Sequence, residues 1–336
     1  MKKRLFEIRN LTKNFPSGKE QVRALTDVSF DIYEGETLGL VGESGCGKST
    51  LGKCLIGLTP PTSGSIRYEG KEVSLLRGKD LRAFRSQTSL IFQDPYSSLN
   101  PRMTAADIIG EPLAIQGASK QQREKRIEEL LHLVGLSPSM GNRFPHEFSG
   151  GQRQRIGIAR ALAAGPRFVI CDEPVSALDV SVQAQIINLL KKLQQEMGLT
   201  YLFIAHDLRI VKYLSNRVAV LYRGEIVECA EAEELYHSPL HPYTQALLSA
   251  IPIPDPQIEK KRRRIVLSGE IPSPFEILKG CPFASRCPKA TAHCHEVKPL
   301  MREISPGHHA ACHYASQPLI EQNVPVSVEK EEITGY

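Results

Sequence analysis

Two kinds of hydrophobic pattern run along this chain. Leu5-Phe6-Glu7-Ile8 and Val28-Ser29-Phe30-Asp31-Ile32 mix apolar and polar positions over short stretches, as antiparallel strands with one wet face do. Thr37-Leu38-Gly39-Leu40-Val41, Phe168-Val169-Ile170-Cys171 and Tyr201-Leu202-Phe203-Ile204-Ala205 are nearly continuous apolar runs, the texture of strands buried on both faces. Between them the period lengthens. Ile127, Leu130, Leu131 and Val134 recur at helical spacing, as do Val182, Ile186, Leu189, Leu190, Leu193 and Met197. Val218–Tyr222, then Arg223-Gly224, then Glu225-Ile226-Val227 predict a hairpin closed at the glycine. Apolar strands alternating with helices imply a mostly parallel sheet covered by helices.

After Pro252 the texture changes. Pro252, Pro254 and Pro256 and the basic run Lys260-Lys261-Arg262-Arg263-Arg264 read as a linker. A Cys/His/Pro-rich segment follows to about residue 315, and the last 20 residues, with Glu329, Lys330, Glu331 and Glu332, read as a mobile tail. The predicted division is a domain over 1–250 and a C-terminal extension over 251–336. Composition adds little: 41% hydrophobic and 24% charged residues are ordinary for a globular chain. The net charge of +5 is too mild to argue for a nucleic-acid partner. No apolar stretch of about 18 residues occurs, and no apolar signal core follows the charged start, so the expectation is a chain in the cytosol or held at a membrane by another protein.

Chemistry concentrates at strand ends. Gly42-Glu43-Ser44-Gly45-Cys46-Gly47-Lys48-Ser49 fits the phosphate-loop pattern G-x-x-x-x-G-K-[ST] between a strand and a helix. Its glycines let backbone N–H groups converge on phosphate oxygens, and the following helix adds its positive end. Lys48 would reach the β- and γ-phosphates, the Ser49 hydroxyl would hold Mg²⁺, and Thr50 would donate near the α-phosphate. The second half is Asp172-Glu173, two acids closing an apolar strand at the edge where α/β sheets bind ligands. Asp172 is expected to hold Mg²⁺ and Glu173 to act as general base toward water.

These parts alone describe a P-loop ATPase. Phe148-Ser149-Gly150-Gly151-Gln152-Arg153 opens a helix with a Ser-Gly-Gly turn, offering N–H donors and a hydroxyl to an anion. It resembles the signature motif of the ABC ATPases, which more often have Leu where this chain has Phe148. In that family the motif closes over the γ-phosphate held by a second subunit, which puts Ser149, Gly150, Gly151 and Gln152 at a head-to-tail dimer interface. The resemblance covers about residues 4–250. It implies that Gln93 senses γ-phosphate or Mg²⁺, that His206 contacts the γ-phosphate and that Asp179, in Ser176-Ala177-Leu178-Asp179, crosses the interface. It also implies that Phe15 stacks on adenine, although a core role stays open for that ring. The fold implied is an α/β P-loop NTPase. It has a RecA-like core, an antiparallel β subdomain and a helical subdomain over about 94–155, plus a small Cys-rich C-terminal extension.

His241-Pro242-Tyr243-Thr244-Gln245-Ala246-Leu247-Leu248 resembles a segment of the oligopeptide and dipeptide importer ATPases; by residue type alone it reads as packing. Nickel and glutathione importers of the same subfamily carry it too, and a non-transport ABC ATPase is the distant alternative. The resemblance implies a second ATPase subunit, favoured as a paralogue, two transmembrane permease subunits and an extracellular solute-binding protein, with this chain peripheral on the cytoplasmic membrane face. Cys281, Cys287, Cys294 and Cys312 are separated by five, six and seventeen residues. Four thiolates suit an iron–sulfur cluster or Zn²⁺, and free thiols stay open; in this subfamily some members hold a [4Fe–4S] cluster in such a set. The basic run at 260–264 is expected near anionic lipid. For the assigned base, Glu173→Gln is expected to bind ATP yet turn it over very poorly in a steady-state phosphate-release assay; retained turnover overturns the assignment.

Overall fold

The computed structural model describes residues 3–18, 20–94, 96, 98–252, 264–270 and 272–315. The chain opens with β1 (Arg4–Ser17) and β2 (Glu20–Tyr33), paired antiparallel with Phe6 across from Ile32, Ile8 from Phe30 and Leu11 from Val28. These six side chains are buried, so the register seats apolar on apolar along one face. β3 (Thr37–Val41) and α1 (Lys48–Leu55) come next. β4 (Ser63–Tyr68) and β5 (Lys71–Glu72) then complete a four-stranded sheet in the order β2-β1-β4-β5. α2 (Gly78–Gln87) leads into β6 (Thr88–Ile91).

Three helices follow: α3 (Ala105–Ile115), α4 (Lys120–Leu133) and α5 (Gly150–Ala163). Each starts at a capping box, with Thr104, Ser119 and Ser149 as N-caps answered by Asp107, Gln122 and Gln152. The remaining core alternates strand and helix: β7 (Phe168–Asp172), α6 (Val180–Met197), β8 (Thr200–Ile204), α7 (Leu208–Leu214) and β9 (Arg217–Tyr222). β10 (Glu225–Glu231) returns antiparallel through Arg223-Gly224, both at positive φ, as the hairpin reading expects. α8 (Ala232–His237) and α9 (Pro242–Ser249) close this part.

Among the described residues the main sheet has eight strands. β9-β3-β8-β7-β6 run parallel, with β3 between β8 and β9. Its central strands are apolar throughout because both faces are covered. Leu38, Leu40, Phe168, Ile170, Leu202, Ile204, Ala219 and Leu221 point toward α1 and the antiparallel sheet. Val169, Cys171, Tyr201, Phe203, Val218 and Val220 point the other way, toward α3, α5 and α6. Phe6 bridges the two sheets, its ring 4.6 Å from that of Phe168.

The C-terminal segment is built into this core. α10 (Ala292–Glu296), β11 (Arg302–Ser305) and β12 (His308–Ala310) follow residue 264, and β12 pairs antiparallel with β10, so the sheet continues to β11. The expected linker between 253 and 263, most of the basic run, and the expected tail from 316 lie outside the described residues. No helix among the described residues is long and apolar enough to cross a membrane.

One buried carboxylate pins the segment. Glu228 on β10 has no exposed surface, and it accepts N–H bonds from Leu240 at 2.7 Å and His241 at 2.9 Å. The His308 Nε2–H, from β12, donates to it at 2.7 Å. Burial of that charge is tolerable only because all three donors converge on it. Glu228→Ala leaves two backbone N–H groups and an imidazole without their partner. It is expected to cost about 1–3 kcal/mol for each stranded group, read as a lower urea midpoint with the m-value unchanged.

Candidate functional site

The phosphate loop leaves β3 at the carboxyl edge of the parallel strands and enters α1 at Lys48. Two glycines are required by space. A Cβ at Gly42 would stand 2.1 Å from the Leu221 carbonyl oxygen. At Gly47, where φ is +108°, it would stand 2.4 Å from that of Ala24. Lys48 is buried and donates to the carbonyls of Gly42 at 2.8 Å and Glu43 at 3.0 Å. Cys46, within the loop, is buried, and burial pushes its thiol up in pKa.

The two nucleotide motifs meet at one bond. The Ser49 hydroxyl donates to Asp172 Oδ1 at 3.0 Å, across 123 residues of chain. Burial holds the Asp172 carboxyl above the usual carboxylate range, against the lowering pull of that hydroxyl. A hydroxyl from the first turn of α1 and a carboxylate from the end of β7 form an oxygen donor pair that fits Mg²⁺.

Glu173 begins the turn after β7 with φ at +47°, a region non-glycine residues rarely occupy. Its N–H donates to the Ile204 carbonyl at 2.9 Å, which locks the turn to β8. The carboxylate is 10% exposed and engaged on both oxygens. Gln93 Nε2 donates to one at 2.6 Å, and His206 Nε2 meets the other. Gln93, Glu173 and His206, expected from three separate motifs, therefore form one cluster. Gln93 presents its amide nitrogen to Glu173, so its carbonyl oxygen is what remains for the expected Mg²⁺ contact.

Ser149, Gly150, Gly151 and Gln152 are organised differently. Ser149 is exposed, and its hydroxyl accepts the Gln152 N–H at 3.3 Å, while the Gln152 side chain accepts the Ser149 N–H at 3.0 Å. The turn is thus an N-cap that faces outward. Gly151 packs on α6, with room for no Cβ beside Val182. Asp179 is the exposed N-cap of α6 and makes no side-chain cap bond. Phe15 is 37% exposed, with the Lys13 ammonium 4.7 Å above its ring, so a place in the core does not describe it.

The four C-terminal cysteines surround one small cavity with Phe283, His241 and His313. All eight cysteines are free. Burial pushes Cys281 up to about 12 and raises Cys287 and Cys312. The Tyr314 N–H lies 3.4 Å from Cys312 Sγ. The expected metal site is not borne out as a point of coordination. Among the described residues no group of three or more His, Cys, Asp or Glu is placed to hold a metal ion. The four cysteines are among the residues that line one cavity.

Two residues at the phosphate loop were not anticipated from the sequence. The Tyr243 hydroxyl accepts the Glu43 N–H at 2.9 Å, and Arg286 donates to both Glu43 carboxylate oxygens at 2.8 and 3.0 Å. Tyr243 sits in the segment read as packing, and its phenol was the available signal. Nothing in the spacing of Arg286 points to a loop 243 residues away.

A family model described as ABC transporter matches residues 25–176, and one described as oligopeptide/dipeptide transporter, C-terminal region, matches residues 227–294. The chain is similar to the putative oligopeptide transport ATP-binding protein YkfD of Bacillus subtilis, at 55% identity over 92% of this chain and 95% of that protein. It is 51% identical to the oligopeptide transport ATP-binding protein OppF of Escherichia coli, over 91% of this chain and 92% of that one. Among solved structures, it resembles a dimeric ATP-binding cassette in a post-hydrolysis state bound to ADP and Pi. That likeness has a TM-score of 0.62 and 33% identity, covering 68% of this chain and 98% of the other. The cassette cbiO1 of Clostridium perfringens is similar at a TM-score of 0.63 and 26% identity, over 70% of this chain and 91% of its own. Sharing more than half its residues with such a protein along nine-tenths of its length, this chain belongs to the ABC transporter ATP-binding family, on the branch that carries the oligopeptide/dipeptide transporter C-terminal region.

Proposed function

We propose that this chain powers the import of oligopeptides or dipeptides by binding and hydrolysing ATP for a membrane transporter. The observation that carries the ATPase reading is the convergence of Ser49–Asp172 and Gln93–Glu173–His206 beside the phosphate loop. The peptide reading rests on the C-terminal match and on relatives named as oligopeptide transport ATP-binding proteins.

In this reading the loop N–H groups of Gly42–Ser49, Lys48 and Thr50 hold the triphosphate. Ser49 and Asp172, with Gln93 alongside, would hold Mg²⁺, which when bound offsets phosphate charge. Glu173 accepts a proton from the attacking water, and His206 faces the γ-phosphate. Each Glu173 oxygen has one partner, and a carboxylate offers about four acceptor sites, so the group can be held by Gln93 and His206 and still accept that proton. Phe15 supplies an aromatic face for adenine. The exposed Ser149-Gly150-Gly151-Gln152 turn and Asp179 await the nucleotide of a second ATPase subunit, favoured as a paralogue. Two permease subunits and an extracellular binding protein complete the assembly, with this chain peripheral on the cytoplasmic face.

For the cysteine cavity we propose a [4Fe–4S] cluster held by Cys281, Cys287, Cys294 and Cys312. Such a cluster takes one thiolate at each corner, so its ligands stand around a volume and do not meet at a point. Two measurements test these readings. Proteoliposomes holding this chain, its partner ATPase, the permeases and the binding protein should take up labelled di- and oligopeptides only with ATP. Uptake of nickel or glutathione in place of peptide overturns the substrate. Protein purified without oxygen should carry iron and acid-labile sulfide in equal amounts, with brown colour lost in the Cys281→Ser/Cys294→Ser double variant. Eight titratable thiols in the denatured chain and no iron overturn the cluster.

A further inference from the structure

Residue 43 is an odd place for a carboxylate. It follows the first glycine of a loop built to attract phosphate, and a second anion there opposes the first. The structure answers this from the far end of the chain. Arg286 forms a two-pronged bond to Glu43, Nη1 to Oε2 at 2.8 Å and Nη2 to Oε1 at 3.0 Å. The Arg286 side chain is 9% exposed, so the pair is shielded from water on that side. The backbone of the same residue is held as well, because the Glu43 N–H donates to the Tyr243 hydroxyl.

What Glu43 does next gives these contacts their consequence. Its carbonyl oxygen accepts from Lys48 Nζ at 3.0 Å and from the Cys46 N–H at 3.3 Å. Lys48 Nζ also donates to the Gly42 carbonyl at 2.8 Å, which shares a peptide unit with the Glu43 N–H. The lysine that would meet the phosphates is therefore set by the two carbonyls on either side of a residue that the C-terminal segment grips by its N–H and its side chain. The grip is rigid. Tyr243 has no exposed surface, and its ring lies 4.6 Å from that of Tyr222 and 5.4 Å from that of Phe283. Phe283, also fully buried, precedes the short 3₁₀ turn Ala284–Arg286 that presents the guanidinium. Cys281 and Cys287 flank that turn and line the cavity beneath it.

We propose that Tyr243 and Arg286 are positioning residues for the phosphate loop: they hold Glu43 by its N–H and carboxylate, neutralise its charge and so set nucleotide affinity from the C-terminal segment. The proposal rests on the reading of Gly42–Ser49 as the triphosphate site. It gives the segment a task within the ATPase cycle, whatever fills the cysteine cavity.

The test is an equilibrium titration of the full-length chain with a fluorescent ATP analogue and Mg²⁺, with thermal melting recorded on each variant. The parent must bind saturably; failure to bind removes the triphosphate reading and this proposal with it. Arg286→Gln leaves the Glu43 charge unpaired and should raise Kd about tenfold, the scale of one charge-assisted bond. Glu43→Gln added to it removes the stranded charge and should bring Kd back to within about threefold of the parent, a coupling of the kind contacting residues show. Arg286→Lys should fall between. In the assembled transporter the Arg286→Gln change should appear in KM for ATP while kcat at saturation stays within about twofold, as for loss of uniform binding. A parent-like Kd for Arg286→Gln, or a double variant as weak as the single, overturns the proposal. Should Arg286→Gln fail to fold, Tyr243→Phe decides. It deletes one buried oxygen and should weaken binding about threefold, and parent-like binding there overturns the proposal equally.

Discussion

The parallel pairing of β3 with β8 on one side and β9 on the other is the constraint on which the rest depends. Parallel strands present all their carboxyl ends to one edge, so loops that are far apart in sequence emerge together. β3 delivers the phosphate loop, β7 delivers Asp172 and Glu173, and β8 delivers His206. The Ser49–Asp172 bond and the Glu173 N–H to Ile204 carbonyl bond are consequences of that common edge. The edge is held by covering both faces of the sheet, which is why Leu38, Ile170 and Leu202 serve one core and Val169, Phe203 and Val220 the other.

Charge at this edge is managed by pairing. Lys48 is buried against two carbonyl oxygens, Asp172 takes a hydroxyl, and Glu173 takes an amide and an imidazole. Each arrangement keeps an ionisable group both satisfied and exchangeable, since an incoming phosphate, cation or water offers the same kind of bond. Glu228 shows the contrasting use of a buried carboxylate. Its three donors belong to the backbone and to His308, and with no exposed surface it can exchange none of them, so it serves as a fastener.

The C-terminal segment changes meaning once seen in place. Read along the chain, the prolines, basic residues and scattered turns after Pro252 suggest an appendage. In space β12 extends the main sheet through β10, Lys298 pairs with Glu225, and Arg286 reaches Glu43. A short hairpin such as β11–β12 has too few apolar residues to announce itself by periodicity; it is stabilised by an existing sheet edge and by His308 on Glu228.

The sequence by itself determined the local chemistry. Glycine, lysine and serine at fixed spacing dictate a phosphate loop, because only those residue types combine free backbone donors, a mobile cation and a hydroxyl. Unbroken apolar runs ending in Asp172-Glu173 or His206 likewise dictate buried strands with ionisable residues at their ends. It also marked the Ser149 turn that opens a helix and the turn at Gly224, whose causes lie within four residues. Only the tertiary structure decided the long-range pairs. Gln93 and His206 share Glu173, four cysteines line one cavity, Phe15 lies outside the core, and Tyr243 and Arg286 hold residue 43. Those contacts depend on which strand edges meet, and a single side chain such as Arg286 carries no trace of its distant partner until the sheet brings the two within hydrogen-bond reach.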